Sequence, residues 1–183
     1  MQLSDFRNEP FTDFSQPENQ QAFEAALSKV REEYLGRTWP CWIGGQEVAG
    51  KKTFEGRDPG DQSRHIGTYQ ELGAAEANRA VEQAYEAFPE WSRTEVQYRV
   101  DLFMRAAQAL RERKHEFSAM LCYEVGKSWA EADGDTAEAI DFLEYYAGQM
   151  LETAQPQMVT PVAGEHTRMT YIPIGVGAII PPW

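Results

Sequence analysis

Three carboxylates on one prospective helix, Glu131, Asp135 and Glu138, fall at i, i+4 and i+7 and so share a face. Such a trio could hold a divalent cation or steer a cationic substrate. A solvated acidic face is the plainer alternative, and spacing alone favours it. Like charges at i and i+4 cost an isolated helix only about a few tenths of a kcal/mol, too little to argue for chemistry. The three histidines, His65, His115 and His166, lack metal-ligand spacing, and His115 lies in the polar run 111–116, which predicts exposure. No GxSxG elbow accompanies them, so a Ser/His/Asp reading fails. Cys41 sits between Pro40 and Trp42 in a strand-like stretch, and Cys122 on an apolar helical stripe. Burial raises a thiol pKa, so both read as structural cysteines. Gly175-Val-Gly177 precedes an apolar strand-like run. A dinucleotide loop requires strand, glycines and helix in that order, so these glycines serve packing and not phosphate.

The composition bounds what these residues could serve. The chain has 183 residues, 42% hydrophobic and 12% aromatic, enough for one domain with a core or for a domain and part of another. A net charge of -12 and a pI near 4.7 argue against nucleic-acid binding, which needs a basic face. No run reaches about 18 apolar residues, which predicts no membrane span. The opening residues lack a signal-peptide or transit pattern, and the two cysteines share no CxxC spacing, so a reducing, cytoplasmic setting is expected.

The elements that must position these residues follow from periodicity. Residues 1–14 read as an extended arm tied down by Phe6, Phe11 and Phe14. Ser15-Gln-Pro-Glu18 has capping-box form and predicts a helix to about Tyr34, burying Phe23, Ala26, Leu27 and Val30 and stopping at Gly36. Trp39–Val48 around Gly44-Gly45 predicts a hairpin, with further strands at about 53–57 and 65–70 flanking the turn Asp58-Pro-Gly60. With no helix between them, these strands are expected to pair antiparallel or to lie as a ribbon. From Ala74 to Leu151 four helices are expected. The first carries the stripe Ala77, Val81, Ala84, Tyr85 and Phe88 and ends at Pro89. The second carries Val96, Val100, Phe103, Met104, Ala107 and Leu110 on one face, with Arg111-Glu-Arg-Lys114 near its end, where positive charge suits the dipole. The third, 116–125, buries Phe117, Met120 and Leu121 and closes at Gly126. The fourth, 129–151, buries Thr136, Ile140, Leu143, Ala147 and Met150. Extended segments at 157–162 and 166–173 then flank Gly164, and Val176–Ile180 reads as a fully buried strand.

Ile-Pro-Ile-Gly-Val-Gly-Ala-Ile-Ile-Pro-Pro-Trp at 172–183 resembles the aldehyde dehydrogenase superfamily segment Pro-x-Gly-Val…Ile-x-Pro-Trp-Asn. Trp42-Ile-Gly-Gly45, Asp58-Pro59 and Ile66-Gly67 are similar to N-terminal strands of that superfamily. Three further stretches resemble its L-glutamate γ-semialdehyde (1-pyrroline-5-carboxylate) dehydrogenase branch. They are Phe6-Arg-Asn-Glu-Pro-Phe-Thr-Asp-Phe14, Arg113-Lys-His-Glu-Phe-Ser118 with Glu124-Val-Gly-Lys127, and Ala137-Glu-Ala-Ile-Asp-Phe-Leu-Glu-Tyr-Tyr-Ala147. The resemblance runs from residue 6 to residue 183.

It implies an α/β fold: short antiparallel strands, a mostly helical section, a β arm, and the first strand of a Rossmann-like nucleotide-binding sheet. Residues 1–156 would belong to the NAD-binding domain, 157–173 to a β arm used for homo-oligomerisation, and 174–183 to that first strand, where the chain is expected to break off. The reaction implied is NAD-dependent oxidation of glutamate semialdehyde to glutamate, the last step of proline breakdown. In it a cysteine thiolate attacks the aldehyde, hydride passes to NAD, and a glutamate assists hydrolysis of the acyl-enzyme. Carried over by position, Ile180, Pro181, Pro182 and Trp183 would line the cofactor cleft, and Glu138 matches a family glutamate near the substrate entrance. Glu131 and Asp135 keep the surface reading. The oxyanion-stabilising asparagine, the nucleotide-binding glycines, the catalytic cysteine and the general-base glutamate would all lie past Trp183, so the 183-residue chain is expected to be inactive by itself. Pro181 departs from the family pattern, which has a small residue there, and it removes a backbone N–H. Two alternatives stand beside this one: an aldehyde dehydrogenase of another substrate class, and a free-standing helical binding module. The module predicts no exposed apolar patch, whereas the dehydrogenase predicts a large one.

Overall fold

The computed structural model describes residues 6–160 and 162–181. Its first helix, α1 (Pro17–Glu33), buries Phe23, Ala26 and Val30 along one stripe, with Leu27 partly covered. The expected Ser15 capping box does not form. Asp13, two residues back, is the nearer acceptor and takes both the Ser15 amide (2.9 Å) and its hydroxyl (2.7 Å), leaving Gln16 at the N-cap without a side-chain bond.

After Gly36 the chain lays down β1 (Arg37–Trp39), β2 (Cys41–Ile43), β3 (Gln46–Val48), β4 (Lys52–Asp58) and β5 (Asp61–Glu71). β2 and β3 are the expected hairpin, turning on Gly44 (φ 59) and Gly45 (φ 75), a left-handed pair that side chains resist. Trp39, expected within that hairpin, belongs instead to β1. The sheet order is β1-β5-β4, with β4 antiparallel and β1 parallel to β5. The all-antiparallel expectation therefore fails at β1, because residues 40–60 supply the long crossover that a parallel pair requires.

The helical section comprises α2 (Ala74–Trp91), α3 (Val96–Glu112), α4 (Lys114–Val125) and α5 (Trp129–Thr153). Pro89 does not end α2. It forfeits its own N–H, but Ser92 N still donates to Phe88 O at 2.8 Å and the last turn closes. α2 has no buried residue, and its stripe residues Val81 and Tyr85 stand in the open. α3 packs along α5, and α4 packs against both α5 and α1. Ala26, Val30, Ile66, Ala119 and Tyr123 form the core where α1, β5 and α4 meet.

α4 keeps Met120 and Leu121 partly covered as expected, but it departs from the expectation at Phe117 and on its polar side. Phe117 is exposed, while Lys114 and Ser118 face inward. The polar side of α4 is the one that meets α5. There the Ser118 and Thr136 hydroxyls lie 2.8 Å apart, and Lys114 bonds Asp133. Gly126 closes α4 in the left-handed conformation, as expected.

Among the described residues beyond α5, only β6 (Gln157–Met158) and β7 (Arg168–Met169) pair, antiparallel and far shorter than the segments expected there. Tyr171–Pro181 is neither strand nor buried: Ile172, Ile174, Ile179 and Ile180 all stand exposed. A strand is a property of a hydrogen-bonded pair, and no described segment pairs with this one.

Candidate functional site

α5 organises the site. Its N-terminus is fixed by a capping box in which Glu131 N donates to Ser128 Oγ (3.4 Å) and Ser128 N donates to Glu131 Oε2 (3.1 Å). The Ser128 hydroxyl also donates to that carboxylate at 2.7 Å, and this bond leads in holding the Glu131 pKa below its ordinary value. Glu131 is therefore a cap, and Asp135 pairs with Lys127. Glu138 is exposed, and none of the described residues gives it a hydrogen bond or an ion pair. The three carboxylates do share a side of α5, but they do not act as a set: one caps the helix, one is ion-paired and one has no partner among the described residues. No group of three or more His, Cys, Asp or Glu side chains among the described residues is disposed to hold a metal ion.

Glu138 lines an open cleft of about 510 Å³. One side of it is the α5 face Gly134, Glu138, Asp141 and Tyr145, spaced i, i+4, i+7 and i+11. The other side is the arm, through Phe6, Asn8 and Phe11. The arm is held mainly by polar bonds. Thr12 donates its amide (2.8 Å) and hydroxyl (2.6 Å) to Asp133, which is 1% exposed. Lys114 Nζ bridges Asp133 Oδ2 (3.0 Å) and Pro10 O (2.8 Å). Asn8 Nδ2 and Glu9 N donate to the two Asp141 oxygens at 2.7 and 2.6 Å. Arg111 joins Glu9 to Glu144, each at 2.7 Å. Burial works against the Arg111 charge, but the hydrogen bonds to Glu144 and then Glu9 more than offset it and hold its pKa above the ordinary value.

Two of the three expected aromatic anchors, Phe6 and Phe14, pack against the helices. Phe6 meets Tyr145 edge-on (5.5 Å), and Phe14 meets Phe23 (5.2 Å) and Trp129 (5.7 Å). Phe11, expected to tie the arm down, is 76% exposed and overhangs the cleft. The backbone bonds on either side of it already fix the arm, so its ring is not needed as an anchor.

His115, expected at the surface, is partly buried with its ring against Phe23 (5.6 Å) and its Nδ1 buried without a partner. Burial pushes its pKa below the ordinary 6.5, with Asp133 opposing and Lys114 adding to the shift. Cys41 lies in β2, and burial in α4 pushes the Cys122 thiol up; both are free thiols. Ile180 and Pro181 sit exposed on the unpaired run, while Pro182 and Trp183 lie outside the described residues. Neither Ile180 nor Pro181 forms a cradle for a dinucleotide pyrophosphate, and no strand–glycine–helix turn does so among the described residues. The latch residues Asp133, Asp141, Lys114 and Arg111 were not singled out by sequence. No local signal marks Asp133 and Asp141 among the seven carboxylates of α5.

Residues 45–183 match the Aldehyde dehydrogenase family. The 1-pyrroline-5-carboxylate dehydrogenase of Bacillus pumilus (strain SAFR-032) is 48% identical over 178 residues, which is 97% of this chain and 34% of that protein. Its counterpart in Geobacillus kaustophilus (strain HTA426) is 47% identical over the same spans. Among solved structures, a 1-pyrroline-5-carboxylate dehydrogenase from Thermus with bound NAD superposes with a TM-score of 0.86 at 43% identity, over 92% of this chain and 33% of that one. Proline utilization A from Bdellovibrio bacteriovorus also gives 0.86, at 30% identity, over 91% of this chain and 17% of that one. The chain thus spans about a third of the length of the curated relatives it matches. With its α/β order matching the N-terminal part of these enzymes and most of its length inside the family's own pattern, the chain is a member of the aldehyde dehydrogenase family.

Proposed function

We propose that the chain serves an NAD-dependent oxidation of L-glutamate γ-semialdehyde to L-glutamate, as the N-terminal part of a 1-pyrroline-5-carboxylate dehydrogenase. One observation carries the substrate class. The match to the family at large begins at residue 45, whereas the likeness to 1-pyrroline-5-carboxylate dehydrogenases covers 97% of the chain and so takes in the arm. That arm walls the Glu138 cleft. Glu138 is assigned to the substrate entrance, where a carboxylate without a protein partner, among aromatic rings, attracts the ammonium group of an amino-acid aldehyde. The β6–β7 hairpin within residues 157–173 is assigned to subunit association. Residues 174–183 are assigned to the first strand of the nucleotide-binding sheet, with Ile180, Pro181, Pro182 and Trp183 toward NAD once neighbouring strands pair there.

A free-standing helical module is disfavoured by the exposed Val81, Tyr85, Phe103, Tyr146, Ile174 and Ile179, since such a module would cover its apolar side chains. The test is NADH formation by the protein bearing this chain, with glutamate semialdehyde set against short aliphatic aldehydes. Preference for glutamate semialdehyde is expected, together with a raised KM in Glu138→Gln. Turnover of the aliphatic aldehydes alone would refute the substrate class.

A further inference from the structure

We propose that arm residues 6–12 act as a latched strap that sets the width of the Glu138 cleft, with Asp141 as the positioning residue of its outer latch. The proposal rests on the reading of Glu138 as substrate-proximal.

A strap held by apolar burial would place its rings inside, but Phe11 is 76% exposed. What fixes the backbone is a pair of carboxylates projecting from α5, supported by Lys114 on Pro10 O and by Arg111 on the Glu9 side chain. Asp133 is fully buried and takes both donors of Thr12, and Asp141 is partly buried and takes Asn8 Nδ2 and Glu9 N. The two lie eight residues apart on one helix, so the strap runs alongside α5 and cannot slide without breaking bonds to an ionised acceptor. Between the latches, the arm presents Phe11 to the cleft opposite Glu138, and beyond Asp141 it seats Phe6 on Tyr145.

Asp141 has a second property that Asp133 lacks: it lines the cleft itself. A cation entering the cleft meets the same carboxylate that holds the strap, so the position of the outer strap and occupancy of the cleft are linked. The inner latch, buried with Lys114, lies outside that exchange.

The experiment compares Asp141→Ala, Asp141→Asn and Thr12→Val in the full chain by NMR amide exchange. Asp141→Ala is expected to speed exchange at the Glu9 amide roughly tenfold or more, to leave Thr12 protected, and to weaken the Phe6–Tyr145 ring NOE. Asp141→Asn keeps an oxygen for Glu9 N–H and is expected to restore most of the protection. Thr12→Val is expected to loosen the inner end while sparing Glu9. In the enzyme bearing this chain, Asp141→Ala is expected to raise KM for the amino-acid aldehyde severalfold with kcat kept. Unchanged Glu9 exchange in Asp141→Ala overturns the strap. So does faster exchange with an unaltered KM, provided Glu138→Gln does raise KM. If Glu138→Gln leaves KM unmoved, the substrate-entrance reading is what fails, and the ring NOE with the Glu9 exchange rate still decides whether the strap exists.

Discussion

Replacing Asp133 with alanine tests what holds the arm and the helices together. The Asp133 side chain is 1% exposed and that of its partner Lys114 is 10% exposed. Asp133 accepts three bonds, from Lys114 Nζ, Thr12 N and Thr12 Oγ1, at 3.0, 2.8 and 2.6 Å. In Asp133→Ala the ammonium stays buried with only Pro10 O to accept from it. Removing one partner of a buried pair costs about 3–5 kcal/mol, because the remaining charge is left uncompensated. The Thr12 bonds lie nearer water and fall within that range, so a loss of about 4 kcal/mol is expected. Against a domain stability of about 5–15 kcal/mol this is severe. At about 2–4 °C per kcal/mol for a chain of this size, the Tm falls by about 8–16 °C.

The double variant Lys114→Met/Asp133→Leu removes both charges and fills similar volume. It is expected to lie within about 2 kcal/mol of the parent, since apolar replacement of a buried pair is often neutral. Thermal and urea melts followed by circular dichroism measure both. A loss below about 1 kcal/mol in Asp133→Ala, or a double variant no better than the single, would refute the claim that paired burial fixes this layer.

Three other outcomes are expected. His115 holds its proton less tightly in the fold than at its ordinary 6.5, so the unfolded chain binds more protons in the window below 6.5. Stability is therefore full above 6.5 and declines as pH drops toward the folded value. His115→Phe, which keeps the contact to Phe23, is expected to flatten that decline in melts taken across the window. Glu131 titrates below 4.5 in the fold, so its cap is intact above that value and is lost as pH falls through the folded pKa. Ser128→Ala is expected to move the Glu131 pKa back up, read by carboxyl NMR titration, and to increase exchange in the first turn of α5. Gly126 sits at φ 70, with an added Cβ only 3.1 Å from Pro59 Cγ, so Gly126→Ala is expected to cost about 1–2 kcal/mol in urea melts.

The helices were legible because their apolar residues recur at helical spacing, and α1, α3 and α5 bury residues that the pattern named. The hairpin at Gly44-Gly45 was legible because only glycine takes that turn easily. α4 is instructive because it is buried on two sides. Periodicity assigns its apolar side to the interior, where Ala119, Met120 and Tyr123 do meet the core, but α4 also meets α5 through Lys114 and Ser118, whose partners Asp133 and Thr136 are supplied by a segment 18 to 19 residues on. A polar residue's partner is invisible in one dimension, so the arm's latches were missed as well.

The Tyr171–Pro181 run fails in the opposite sense. Its β-branched residues satisfy every local condition for a buried strand, and still Ile174 is fully exposed. Propensity states what a segment could pair with, while pairing itself needs a neighbour that local sequence does not contain. The same logic runs through Glu138. Spacing grouped it with Glu131 and Asp135, and only their separate partners, Ser128 for one and Lys127 for the other, set it apart as the one of the three without a partner among the described residues.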